Sequence, residues 1–309
     1  MTTSETPVCL SIAAVERDTG LGKDTLRVWE RRYGFPQPTR DAQGERLYPM
    51  AQVEQLRHIR RLMDAGHRPG RIVGLGLSEL VAMSRQTSPR AAGEPEPSDD
   101  DLLALLALVR AHEPAGLRAA CAQALMQQGL ARFVLRTAVP LCVAVGDAWA
   151  RGELAVFEEH LCSEALETVL RSALGGVGDP PSQARPRVLL TTLPSEQHGL
   201  AVLMAQALFA AHGARCVSLG TQLPLTDIVR AAHAHQSDIV ALSFSAAHPV
   251  QQVLDGLTEL RALLPAPCAV WAGCPTPAVR RRGVSAVTIF DRLDDIALAL
   301  QTWRAAQGG

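Results

Sequence analysis

Two breaks in the apolar pattern decide what this chain is able to fold into. Residues 84–99, "SRQTSPRAAGEPEPSD", are rich in proline, serine and charge without helical or strand periodicity, and residues 175–186, "GGVGDPPSQARP", interrupt the chain again. Segments of this composition bury too little apolar surface to order themselves and read as solvated linkers. The pieces between them, residues 1–83, 100–176 and 187–309, are the expected domains, with 84–99 as the main linker. With 47% hydrophobic residues in a chain of 309 there is material for more than one core.

The pieces differ in period. In the middle one, "DLLALLALVRAH", "GLRAACAQALMQQG", "RFVLRTAVPLCVAVGDAWARG" and "AVFEEHLCSEALETVLRSAL" place apolar residues three and four apart, which predicts a four-helix bundle. In the last piece, "RVLLTTL", "RCVSLG", "DIVALSFS", "CAVWAG" and "SAVTIF" are short apolar runs separated by helical stretches. That alternation predicts a five-stranded parallel sheet covered on both faces, with its ligand site at the carboxyl ends of the strands. The expected class is multidomain, α and α/β. No apolar run approaches the roughly 20 residues that span a bilayer. Seven cysteines without a Cys-x-x-Cys pair, and no leader-like start, point to a reducing cytoplasm.

Charge balances overall, with 30 Lys and Arg against 31 Asp and Glu, so only its local distribution informs. Through residue 71 there are 12 basic and 9 acidic residues. There "LSIAAVERDTGLGKDTLRVWERRYG" reads as two short helices around a turn, with Ser11 and Asp24 as caps, and "PQPTRDAQGERLYP" reads as a hairpin wing. Lys23, Arg27, Arg31 and Arg32 on the second helix, and Arg40, Arg46 and Tyr48 on the wing, are the candidate DNA contacts. Over residues 9–78 this pattern resembles the MerR family of winged helix-turn-helix regulators, which implies a double-stranded DNA operator as partner. Many MerR relatives continue into a long coiled-coil helix, but "RIVGLGLSELVAM" carries Gly74 and Gly76 and leaves no room for four heptads before Ser84. Self-association is therefore expected to come from the rest of the chain.

Glu196-x-His198 falls where the first strand of the sheet ends. A carboxylate two residues from a histidine suits an imidazole that passes one ring proton to the acid and offers its other nitrogen to a metal. It suits equally a helix-start histidine with Glu196 at the helix N-terminus, and the tripeptide alone leaves both readings open. Upstream, "WARGELAVFEEH" carries Trp149, Glu159 and His160. A four-helix module with this motif, followed by a sheet with acidic-x-His, resembles the cobalamin-binding module of the methionine synthase type over residues 100–309, with a Rossmann-like, flavodoxin-like sheet. The resemblance implies His198 as the lower ligand of cobalt, Ser243, Ser245 and Gly273 around the nucleotide tail, and Trp149 and Glu159 over the upper face.

A MerR reader, a linker and this module together resemble the CarH-type light-sensing repressors. That resemblance implies a non-enzymatic repressor in which adenosylcobalamin draws subunits into a DNA-binding tetramer and light dissolves it. Four positions depart from the pattern: Glu196 stands for the aspartate of corrinoid enzymes, a longer arm that this regulator family also uses, Ala201 for a glycine, Cys274 for the second glycine of the tail slot, and Ala150 for a histidine that caps cobalt after photolysis, with His160 as a conceivable substitute. The alternative is a MerR-type regulator whose sensor works without cobalamin, by self-association, by partner binding or with another tetrapyrrole. A corrinoid enzyme is disfavoured, because reader, bundle and sheet consume the chain's length and no catalytic pair or phosphate loop stands out.

Overall fold

Capping signals and glycine stops lay out the N-terminal unit. The structure, a computed structural model, describes residues 9–41, 44–64, 67–86, 99–178, 180–181, 183–246 and 248–307, so residues 87–98 of the expected linker lie outside the described residues. Two compact units result, Met1–Ala91 and Ala92–Gly309. In the first, β1 (Cys9–Ser11) leads into α1 (Ile12–Thr19), where the Ser11 hydroxyl accepts the Ala14 N–H at 3.3 Å and so satisfies an otherwise unpaired helix donor. Gly20, at φ 68°, ends α1 in the left-handed conformation that glycine adopts without steric cost. The second helix of the pair follows as α2 (Lys23–Tyr33). Asp24 does not cap it: Gly22 holds that position, and the Lys23 N–H is taken by Glu16 Oε1 at 3.2 Å, seven residues upstream.

The wing is formed by β2 (Thr39–Arg40) and β3 (Arg46–Pro49), which pair antiparallel with Arg40 opposite Arg46. β1, invisible as a strand in the sequence, pairs with the other edge of β3. α3 (Met50–Asp64), α4 (Pro69–Ile72) and α5 (Leu77–Gln86) complete the unit around Leu26, Trp29, Tyr48, Leu56 and Ile59. The bidentate Arg57–Asp18 pair, at 2.8 and 2.9 Å, pins α3 to α1. Gly74 and Gly76 separate α4 from α5, so two short helices stand where a coiled-coil helix would need one long one.

In the second unit α6 (Asp99–Arg110), α7 (Pro114–Gln128), a continuous helical rod over residues 130–150 and α10 (Val156–Gly176) form the expected bundle. The rod consists of α8 (Leu130–Phe133), a π-helical turn (Val134–Ala138) and α9 (Val139–Ala150). Pro140 explains the wide turn, since proline lacks the N–H for the Arg136 carbonyl and its ring crowds that oxygen in a regular helix.

The sheet comprises β4 (Arg187–Thr191), β5 (Arg215–Ser218), β6 (Ile239–Ser243), β7 (Ala269–Gly273) and β8 (Val287–Phe290), all parallel, in the order β5-β4-β6-β7-β8. α11 (Leu200–Ala211) and α15 (Asp295–Gln307) cover one face and share a single core with the bundle. α12 (Leu225–Ala234), α13 (Val250–Leu263) and α14 (Pro277–Arg282) enclose a second core on the other face. The chain leaves β4 toward one edge of the sheet and β6 toward the other, so the loops after these two neighbouring strands diverge and open a crevice at their carboxyl ends. Among the described residues no helix is long and apolar enough to cross a membrane.

At the opposite end of the sheet, buried Asp238 accepts the Arg187 N–H at 2.7 Å and both the Arg185 and Arg187 guanidinium groups, joining the start of β6 to that of β4. Burial raises this carboxyl, but its arginine and backbone hydrogen bonds outweigh that and hold it at about 2. Because the folded value lies below the unfolded one, the stabilisation is complete above about pH 4 and fades as pH falls through about 2. Asp238→Asn is expected to cost about 1–3 kcal/mol in urea unfolding at pH 7, with the gap to wild type closing below pH 4. An equal gap at pH 7 and pH 2.5 contradicts the assignment.

Candidate functional site

On α2, Leu26 and Trp29 turn into the core, which leaves Asp24, Arg27, Val28, Arg31 and Arg32 exposed. Arg27 pairs with Asp24 at 3.0 Å and Lys23 with Glu16 at 3.4 Å, contacts weak enough at an exposed surface for a phosphate to compete. Arg32 lies over the Tyr33 ring at 5.4 Å. On the wing, Arg40 donates to the Gly44 carbonyl at 2.8 Å, and Arg46 is braced against Glu30 of α2 at 2.9 Å.

In the second unit the loop after β4 carries Glu196 and His198 into the crevice. Ser195 adopts φ 72°, a left-handed conformation uncommon outside glycine. The turn is latched by buried Thr192, whose hydroxyl donates to the Glu196 carbonyl at 2.7 Å and accepts the Gln222 N–H at 2.8 Å, tying the loops after β4 and β5 together. Glu196 is 1% exposed, and a carboxylate so deeply buried requires several donors. One oxygen receives the His198 N–H at 3.0 Å and lies 2.6 Å from His198 Nδ1. The other receives both the N–H and the hydroxyl of Ser245, each at 2.8 Å, from the loop after β6. Burial alone raises the Glu196 carboxyl, but these four hydrogen bonds prevail and bring it to about 2.

The His198 side chain is 68% exposed, so its Nδ1 is fixed on the acid while Nε2 is left to meet a ligand. The same hydrogen bond raises the imidazole's basicity, and Glu159 on α10 of the bundle adds to it through its charge. Glu159 is itself oriented by the Ser163 hydroxyl at 2.8 Å. Half-buried Trp149 lies near the end of α9, and the register pairs Ser243 with Gly273. The chemistry on offer is a single oriented nitrogen donor within reach of the charge of Glu159 on the bundle.

Residues 10–75 match the family model of MerR HTH family regulatory proteins, and residues 103–173, the bundle, match that of the B12 binding domain. The chain joins a MerR-type reader to a B12-binding module. It is 28% identical over 256 residues to the HTH-type transcriptional repressor CarH of Myxococcus xanthus, covering 82% of this chain and 85% of that protein. To the repressor CarA of the same organism it is 29% identical over 263 residues, covering 84% and 85%. The fold of the B12-binding module resembles the monomethylamine corrinoid protein of Methanosarcina barkeri, with a TM-score of 0.53 at 16% identity, over 67% of this chain and 100% of that one.

Within the B12-binding module Glu196 contacts both His198, two residues away, and Ser245, whose contact with the acid no spacing suggested, while His160 is 72% exposed and 3.8 Å from Glu159. Two residues had no role assigned to them from the sequence. Thr192 looked like one more strand residue, and His248, 5% exposed, approaches Glu196 Oε2 at 3.6 Å with its ring edge-on to Phe244. Both depend on loops meeting across the sheet, which no local pattern reveals. Ala201 spends its methyl group on the core shared by bundle and sheet. Cys274 is buried in the second core, where burial pushes its thiol up.

In the MerR-type reader one expectation is corrected. Tyr48 is 0% exposed and packs in the core, and its hydroxyl finds no partner among the described residues, so it does not reach the DNA backbone. Tyr48→Phe is expected to leave DNA affinity unchanged and stability equal or higher by up to about 1 kcal/mol, because an unpaired buried hydroxyl carries a desolvation cost. A loss of DNA affinity with folding intact contradicts the burial.

Proposed function

We propose that this protein is a cytoplasmic transcriptional repressor whose self-association and operator binding are set by adenosylcobalamin and light. The observation that carries the reading is the His198 ring, held through Nδ1 by buried Glu196 at the switch point of a B12-type sheet and presenting Nε2 to the crevice. Among the described residues no cluster of three or more His, Cys, Asp or Glu is arranged to hold a metal ion. One nitrogen donor suits a metal that brings most of its coordination with it, as cobalt does in a corrin. His198 would ligate cobalt, Ser243, Ser245 and Gly273 would line the path of the nucleotide tail, and Trp149 and Glu159 would close the upper side, with His160 at its rim. When bound, adenosylcobalamin supplies a cobalt–carbon bond that green light breaks.

The residues of the chain then act by position. Glu196 holds the ring proton on Nδ1 and makes Nε2 the more basic donor, and Ser245 keeps Glu196 in place. On the DNA side, Lys23, Arg27, Arg31, Arg32, Arg40 and Arg46 would meet the phosphates and base edges of an operator. A single reader of this size binds weakly. Linking several by ligand-driven assembly, a tetramer in this reading, raises their local concentration and turns cofactor occupancy into DNA occupancy. The similarity to the CarH and CarA repressors supports the reading of the whole chain as a regulator rather than an enzyme.

Titration with adenosylcobalamin in darkness is expected to shift the visible bands and enlarge the particle in size-exclusion chromatography, with green light reversing the size. His198→Ala is expected to lower cobalamin affinity by tenfold or more and to abolish the enlargement, while far-UV circular dichroism stays unchanged. Unaltered spectrum and size in the wild type overturn the reading. Separately, Arg31→Ala is expected to flatten the salt dependence of DNA binding by about one unit of slope, without altering the oligomer. An unchanged slope removes Arg31 from the interface.

A further inference from the structure

The outward face of α2 is not uniformly charged. Residues 24, 27, 28 and 31 recur at three- and four-residue spacing opposite buried Leu26 and Trp29, and among them Val28 is an apolar, β-branched side chain at 42% exposure. It belongs to no core cluster of the unit. Its neighbours on the face are Asp24 and Arg27, paired at 3.0 Å, and Arg31, so it forms an apolar gap in an otherwise ionic surface. Valine gains nothing there for the helix, because β-branching restricts its side chain against the preceding turn. An aqueous surface gives it no contact either.

We infer that Val28 is a specificity-determining residue that reads the C5-methyl group of a thymine in the major groove. This rests on the reading of α2 as the helix that enters DNA. In the major groove each base pair shows a distinct pattern, and thymine alone among the four bases adds a methyl group, which apolar side chains recognise by excluding water. Arg27 and Arg31, one residue before and three after Val28, are donors to phosphates or guanine edges and set the height at which its two methyls meet the groove floor. The contact contributes discrimination rather than bulk affinity, since it neutralises no phosphate.

Deoxyuridine, which differs from thymidine only by that methyl group, gives the test. The full chain, with adenosylcobalamin in the dark, selects its preferred duplex from a randomised pool, and each thymidine of the winner is then replaced singly by deoxyuridine. At one or two positions wild type is expected to lose about fourfold in affinity, the effect of exposing one methyl-sized group, while Val28→Ala loses less than twofold there. Val28 is exposed, and the salt slope of the variant, expected to equal that of wild type, reports that the helix is intact. No deoxyuridine-sensitive position, or the same sensitivity in Val28→Ala, overturns the inference. If wild type enriches no sequence at all, the DNA-reading role of α2 fails, and the inference falls with it.

Discussion

The architecture of the second unit turns on one buried carboxylate. Glu196 has been taken out of water almost completely, a cost of several kcal/mol for an unpaired ion, and it is offset by donors from two loops that leave neighbouring strands in opposite directions. The acid therefore does two things at once. It closes the floor of the switch-point crevice by joining the loops after β4 and β6, and it fixes the plane and tautomer of the one imidazole that faces out of it. The left-handed Ser195 backbone and the Thr192 hydroxyl, which donates to the Glu196 carbonyl, shape the turn that carries this acid. The bundle shares its core with the α11 face of the sheet, so the two belong to one packed body.

The first unit is organised by a different force. Its core is small and its charge is near the surface, with Lys23, Arg27, Arg40 and Arg46 each engaged by an acid or a carbonyl within their own unit. Such exposed contacts orient long side chains at little cost and are weak enough for a competing anion to displace. The glycines between α4 and α5 leave two short helices where a coiled-coil helix would need one long one.

Much of this was legible in the sequence because it is local. The β-rich runs and their spacing identified all five strands of the parallel sheet, and the Pro140 helix was read in place, although the π-helical turn before it escaped notice. Glu196 and His198 stood out because two residues of separation places them on one turn. What stayed hidden depends on chain segments meeting from afar. Glu16 caps α2 from seven residues away in preference to the nearer Asp24, and β1 becomes a strand only because β3 is there to pair with it. Tyr48 alternates with wing arginines and so looked like a surface residue, but β3 is the central strand of its small sheet, and the inward side of that strand is core. His248 seemed one loop histidine among several until the loop after β6 folded against Glu196.

The departures at Ala201 and Cys274 take a physical meaning from the same packing. Both side chains are spent on apolar cores, the first between bundle and sheet, the second behind the sheet. The central proposal is that the His198 imidazole, and not the base of the cofactor's nucleotide tail, would be the nitrogen that completes the coordination of corrin-bound cobalt. Electron paramagnetic resonance of the protein loaded with Co(II) cobalamin tests it directly, comparing unlabelled protein with protein carrying 15N-histidine. The account predicts that the nitrogen splitting changes from triplets to doublets on labelling. Triplets that persist in the labelled protein would contradict it.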